Sequence, residues 1–255
     1  MSPAERDAGS QPGLGGLDRA AAIFGAFDEQ HRELTLAALV ARCGLPRSST
    51  HRTADTMLRL GWLDKPADRY RIGNRIFELS GLAPVRHELR ETALPFLQDL
   101  YHATRTTVQL GVLSGTQILL VEKITGHRPL PMLSQVGALL PAYCSALGRA
   151  ILAYSDEHTV QAVIDAGLDR RTPRTITTAS ALRRELVAIP DRGLAVEREE
   201  GNIGISCVAA PIFGPLGEVV AAVSVTGPTA LVRADRAGPA VRLAAAATSR
   251  AYCTR

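Results

Sequence analysis

The sequence predicts a mixed α+β chain in two parts: a small helical N-terminal region ending in a hairpin, and a larger C-terminal region in which an antiparallel sheet is flanked by helices. Three observations carry that reading. Apolar residues recur at helical spacing from Leu17 to Leu58; alternation about a turn replaces that period in WLDKPADRYRIG; and two longer alternating stretches, TVQLGVLSGTQILLVEKI and ISCVAAPIFGPLGEVVAAVSVTGP, punctuate the C-terminal region. With 255 residues and 46% hydrophobic content, the chain can fill two compact cores.

Residues 1–14, rich in Gly, Pro, Ser and charge, have nothing to bury and are expected to form a mobile tail. Residues 15–75 make up the first domain in this reading. In LDRAAAIFGAFDE, the side chains of Leu17, Ala20, Ile23, Phe24 and Phe27 share one helical stripe. Thr35 offers an N-cap hydroxyl to LAALVARC, where Leu36, Leu39 and Val40 repeat at helical spacing, and Gly44 ends that helix. Pro46 opens a third helix where its missing N–H costs nothing, with Ser48 or Ser49 as caps. On it Thr50, Ala54, Met57 and Leu58 share one face, and Ser48, Arg52, Asp55 and Arg59 another. The next hairpin turns at KPAD.

A helix, a tight glycine turn, a second helix with exposed arginines and hydroxyls, and then a two-stranded wing is the arrangement that lays a recognition helix into the major groove of DNA. Arg42, Arg47, Arg52, Arg59, Lys65, Arg69 and Arg71 fall in this segment against only Asp55, Asp64 and Asp68, a local excess suited to phosphate. The candidate DNA contacts are Thr35, Arg47, Ser48, Ser49, Thr50, His51, Arg52, Arg59, Lys65, Arg69 and Arg71.

Residues 76–255 are expected to hold a linker helix and a sensor domain. PVRHELRETALPFLQDLYHAT, from Pro84, reads as one long helix carrying Leu89, Leu94, Leu97 and Leu100, with Pro95 marking a bend or break. Its leucines, with the stripe of the first helix, exceed what a small winged domain needs and are expected to bury against a second subunit. Val108, Leu110 and Val112 alternate into a hairpin turning at Ser114–Gly115, and a second hairpin turns between Gly214 and Gly217. Helices are expected over 146–154, 157–166, 179–189 and 233–251. In PAYCSALGRAILA, Ser145 reads as a cap that leaves the amides of Ala146 and Leu147 pointing out of a helix start, a cradle for a carboxylate.

Other function classes find little support. No apolar run reaches bilayer-spanning length and the N-terminus lacks a signal-peptide pattern, so a cytoplasmic location without membrane contact is expected. Cys43, Cys144, Cys207 and Cys253 lie far apart, form no C-x-x-C pair, and are expected as small buried hydrophobes; no metal or cofactor is expected. A thiol-dependent hydrolase would need a base for Cys144 or Cys207, and none of the six histidines is tied to either by a recognisable motif. That hydrolase, and a small-molecule binding protein that never touches DNA, are the alternative readings.

LDRAAAIFGAF, LTLAALVARCGLPRSSTHR, GWLDKPADRYRIGNRIFELS, SALGRAILA and CVAAPIFGPLGEVVAAVSVTGP, in that order, make nearly the whole chain resemble the IclR-type transcriptional regulators. The resemblance implies a winged helix-turn-helix, a linker helix and a GAF-like α/β effector-binding domain, assembled as homodimers and often tetramers on palindromic double-stranded operators. It implies effector contacts at the positions of Ala146, Leu147 and Cys207 and at an acid aligned with Glu197, beside an apolar wall that includes Ile205; Ser145 joins them as the cap. LLPAYCSALGRAILA looks most like regulators of aromatic-acid catabolism, those for hydroxybenzoate or protocatechuate, and family habit favours repression over activation. The chain departs from the family pattern at Thr50, Thr53 and Ala54, where larger apolar residues are usual. It departs again at Glu197, where aspartate is usual and an extra methylene predicts a smaller or reshaped pocket.

Overall fold

The computed structural model describes residues 14–28, 30–83, 88–125 and 135–254, in two compact units that divide between Leu82 and Ala83. The expected N-terminal tail therefore lies outside the described residues, apart from Leu14.

The first unit carries α1 (Gly16–Phe24), α2 (Leu36–Cys43), α3 (Arg47–Arg59), β1 (Leu63–Asp64), β2 (Arg71–Ile72) and α4 (Asn74–Ser80). Thr35 caps α2, its hydroxyl accepting the Ala38 amide at 3.3 Å, and Gly44 closes α2 in the left-handed region at φ 70°. Pro46 sets the start of α3 but no side chain caps it: Ser48 and Ser49 lie within the first turn. Ile23, Leu39, Ala54, Met57, Leu63 and Tyr70 form a closed core. The strands pair antiparallel, Leu63 opposite Ile72, and a Leu34–Tyr70 bridge extends them. Gly73 is obligatory, because a Cβ there would sit 2.3 Å from the Gly61 carbonyl oxygen.

Part of the apolar face of each of two helices is occupied within its own unit. Ala20 and Ile23 of α1 are buried inside their own unit, with Phe24 and Phe27 packed against the core, while Leu17 stays 79% exposed. The helix expected to run from Pro84 begins with residues outside those described; its visible part is α5 (Arg90–Thr104), and Leu89, Leu97 and Leu100 bury in the core of the second unit rather than on a subunit surface. Pro95 sits inside α5 without ending it. The helix after the wing, α4, groups with the first unit, so the division falls at 82/83 and not at 75/76.

The second unit is built on a six-stranded sheet in which every described pairing is antiparallel. Its strands are β3 (Thr107–Ser114), β4 (Gln117–Ile124), β5 (Leu139–Pro141), β6 (Ala195–Arg198), β7 (Ile205–Phe213) and β8 (Val219–Pro228), in the order β5-β4-β3-β8-β7-β6. Both long hairpins fall at the expected turns, Ser114 opposite Gln117 and Gly217 at φ 81°. One face packs against α6 (Ala146–Leu152) and α8 (Ala179–Arg192), with α7 (Glu157–Asp165) beyond; the other packs against α5 and α9 (Ala234–Cys253). Alternate residues of β7 serve the two cores, Cys207 and Ala209 toward α6, Val208, Ala210 and Ile212 toward α9. Gly148 lets α6 touch the backbone before it, since a Cβ would lie 2.1 Å from the Ala142 carbonyl oxygen. Among the cysteines, all free, Cys144 and Cys207 are buried as expected, whereas Cys253 is exposed. No helix among the described residues is long and apolar enough to cross a membrane.

Candidate functional site

The first unit presents a polar surface at the start of α3. Helix periodicity turns Arg47, Ser48, His51 and Arg52 outward together at the start of α3, where with Leu36 they line an open depression beside the start of α2. Thr35, capping α2, is exposed as well, and Arg59 carries the exposed strip to the other end of α3. His51 Nδ1 lies 3.1 Å from Asp55 Oδ2, and Arg59 donates to Thr56 Oγ1 at 3.1 Å.

Thr50 does not belong to this surface. It is fully buried, and its hydroxyl donates to the Pro46 carbonyl at 3.1 Å, the place of a larger apolar residue being taken by a hydroxyl that returns to its own helix. Ser49 turns toward the α1 side, in a groove with Thr53, Met57 and Trp62. On the wing Lys65 lies over the Tyr70 ring at 4.9 Å from its centroid, and Arg71 faces Asp64 at 3.6 Å, while Arg69 is exposed at the turn. Arg42 is structural: its guanidinium binds the Ala26 carbonyl at 2.6 Å and Asp28 at 2.5 Å, tying α2 to the segment after α1.

The second unit encloses a cavity of about 400 Å³ between α6, the sheet and the segment after β6. Ser145, Ala146, Leu147, Glu197, Ile205 and Cys207, drawn from three separate stretches of sequence, all line it. Ser145 caps α6 by accepting the Gly148 amide at 3.1 Å; the amides of Ala146 and Leu147 have no acceptor among the described residues. Leu140, Pro141 and Ile203 add apolar wall.

Polar lining side chains that sequence reasoning did not find include Gln109, Arg171, Asn202 and Thr226. Gln109 and Thr226 carried a signal in principle, being polar residues within otherwise apolar strands. Arg171 and Asn202 sit in irregular segments with no periodicity to read, and only the folded chain brings them here. Arg171 brings a cation to the cavity from outside the α6 motif; Arg149, the cation within the motif itself, is turned away into a buried pair with Glu200 (2.7 and 3.2 Å) and the Val196 carbonyl (2.8 Å).

Glu197 is the electrostatic centre of the cavity wall. Its Oε1 accepts the amides of Glu200 at 2.5 Å and Gly201 at 3.1 Å. Burial pushes its carboxyl up to about 7, against the pull of those two amides; the Glu200 charge adds to the rise and Arg149 opposes it. Across the sheet Glu197 stands opposite Cys207, and Cys207 opposite Thr226; Cys207 Sγ lies 3.0 Å from Thr226 Oγ1, which donates to Gln109 Oε1 at 3.0 Å. Burial pushes the thiol of Cys207 up to about 12 and that of Cys144 up to about 11, so both stay protonated at neutral pH. A protonated thiol is a poor nucleophile without a base to take its proton, so neither cysteine supports the hydrolase reading.

A helix-turn-helix unit with a wing, joined to a domain that encloses a ligand-sized cavity, defines a ligand-responsive DNA-binding transcriptional regulator. Comparison with known proteins agrees over both units. Residues 16–67 match the IclR helix-turn-helix domain and residues 83–253 the bacterial transcriptional regulator IclR C-terminal domain. The chain belongs to the IclR family. It is 30% identical over 213 residues to the HTH-type transcriptional regulator KdgR of Escherichia coli (strain K12), covering 81% of each chain. To XynR of the same organism it is 29% identical over 224 residues, covering 87% of this chain and 89% of that one. Among solved structures, an IclR homolog from Microbacterium hydrocarbonoxydans complexed with 4-hydroxybenzoate superimposes with a TM-score of 0.87 at 26% identity, covering 94% of this chain and 100% of that one. The family's named members are transcriptional regulators and not enzymes, and this chain is a DNA-binding regulator of the same kind.

Proposed function

We propose that this regulator is a cytoplasmic homodimer, able to pair further into a tetramer, that represses catabolic genes from a palindromic operator until a small organic or aromatic carboxylate enters the cavity of its C-terminal unit. Arg47, Ser48, His51 and Arg52 meet base edges and adjacent phosphates; Arg59, Arg69, Arg71 and Lys65 meet phosphate, and Thr35 contributes its exposed position at the start of α2. The carboxylate docks on the free amides of Ala146 and Leu147, next to Ser145 and Glu197, with the organic body against Ile205 and Leu140.

The convergence of six sequence-chosen positions on one 400 Å³ cavity carries the effector reading. The 4-hydroxybenzoate bound to a structural relative supports an aromatic acid. Exposed apolar side chains in the first unit, Leu17, Leu60, Phe77 and Leu82 among them, support a partner subunit there. Because an effector acts only through its preference for one of two arrangements of the protein, a coupling of about 1 to 3 kcal/mol shifts operator affinity by about 5- to 150-fold.

Calorimetry of the full chain against a panel of short and aromatic carboxylates is the test. One acid binding with a single site per chain, and weakening operator binding, supports the proposal; no binding by any of them refutes the effector class.

A further inference from the structure

The two oxygens of Glu197 have different surroundings. Oε1 accepts two backbone amides, from Glu200 and Gly201, whereas Oε2 has no hydrogen bond among the described residues and belongs to a side chain that lines the cavity. Any proton on this carboxyl therefore resides on Oε2, facing the cavity, because Oε1 is already an acceptor twice over. Its neighbours in the same cross-strand row offer no proton of their own: Thr226 donates to Gln109 Oε1, which leaves the Cys207 thiol to donate to Thr226 Oγ1.

The charges that face Glu197 do not neutralise it. From α6, Arg149 is committed to Glu200 through both terminal nitrogens. From the segment after β6, Glu200 adds negative charge, while from β7 and from the residue before Ser145 the thiols of Cys207 and Cys144 stay neutral. Arg171 lines the same cavity from the exposed side. An anionic effector would thus share a small cavity with an ionised carboxylate, a repulsion that protonating Glu197 removes.

We propose that the effector anion enters together with one proton, taken from solvent and held on Glu197 Oε2, which donates it as a hydrogen bond to the effector's carboxylate. The inference rests on the carboxylate reading above and adds the protonation state in which the site works. A neutral carboxyl donor paired with an anion makes a short charge-assisted hydrogen bond, whereas the ionised form repels. Burial raises the carboxyl's titration to about 7, which places the expected window there. Below it the free site already carries the proton and affinity is flat; above it each binding event must draw a proton in, and affinity falls up to about tenfold per pH unit.

The test is calorimetry of the full chain with benzoate, 4-hydroxybenzoate and pyruvate, whose carboxyl groups do not titrate above pH 6, in phosphate and in Tris, buffers of very different ionisation enthalpy. For the acid that binds, the expected results are uptake of close to one proton per site at pH 8, almost none at pH 6, and an affinity about 30-fold weaker at pH 8.5 than at pH 6. Glu197→Gln keeps the acceptor for Glu200 and Gly201 and places a permanent donor at the other position; it should bind the acid with the same affinity at every pH and take up no proton. An acid that binds wild type with a buffer-independent enthalpy and a flat pH profile overturns the proton coupling and leaves the carboxylate reading standing. Loss of binding by Glu197→Gln at pH 6, with its thermal unfolding unchanged, also overturns it, because the carboxylate would then be needed as an anion. Failure of all three acids at pH 6, where no proton is required, defeats the carboxylate reading and the coupling with it.

Discussion

The two units of this chain build function in opposite ways. In the first, the proposed DNA-contacting side chains are exposed, polar and contiguous: Arg47, Ser48, His51 and Arg52 come from a single turn and a half of α3. In the second the proposed contacts are mostly buried, with Arg171 reaching in from the exposed side, and they are assembled from segments as distant as Gln109, Ser145, Arg171, Glu197 and Thr226. The difference lies in the partner each must recognise. A polyanionic duplex is met at a surface by charges that remain hydrated until contact, whereas a small molecule is selected by an enclosure, where each polar group must be paired or titrate away from its usual range.

That contrast has measurable consequences, the largest in the sensor. Arg149→Ala would leave the Glu200 carboxylate buried without a counter-ion, at a cost of about 3 to 5 kcal/mol; calorimetry should show the sensor transition falling sharply while the first unit keeps its own. Equal loss in both transitions would break the separation of the units. Next in size, Arg52→Ala should cost about 1 to 3 kcal/mol of operator affinity and relax specificity at one base position, and adding Arg47→Ala should deepen the loss. Thr50→Ala should do neither. It should lower the stability of the first unit by about 0.5 to 1.5 kcal/mol through the lost hydroxyl bond and leave operator affinity of the folded protein as it was, so a changed base preference in this variant would return Thr50 to the DNA face. Smallest is Arg69→Ala on the wing, expected to weaken binding to all duplexes alike and to reduce the salt-dependence slope by about 1, as read from titrations at several salt concentrations.

How much of this was legible without coordinates also divides along the same line. Wherever function lives in a local pattern, the sequence carries it: the cap at Thr35, the turn at Gly44 and the outward face of α3 are set by residues within a few positions of one another. The face assignment slipped at Thr50, because a hydroxyl on a helix start reads equally well as a DNA contact or as a bond back to the Pro46 carbonyl, and burial alone decides. The leucines of α5 show a periodic apolar face but not what covers it; the sheet of the second unit does. Within the cavity, Ser145 and its helix announced themselves through capping chemistry, and Glu197, Ile205 and Cys207 were reached through resemblance to a family. Arg171 was invisible, since nothing in its local stretch marks it, and β5 and β6 were too short to show a period.

The central claim is that the buried enclosure of the second unit governs the exposed face of the first. Its most direct measurement is operator affinity, for wild type and for Cys207→Trp, with and without the carboxylate that binds wild type, on a duplex selected from a random-sequence pool by the wild-type protein. The indole would fill the cavity wall opposite Glu197 and leaves every residue of α3 unchanged. The account predicts a shift of about 5- to 150-fold in wild type, and in the variant an unchanged affinity for bare operator with no response to the acid. A Cys207→Trp protein that still responds to the acid would contradict it.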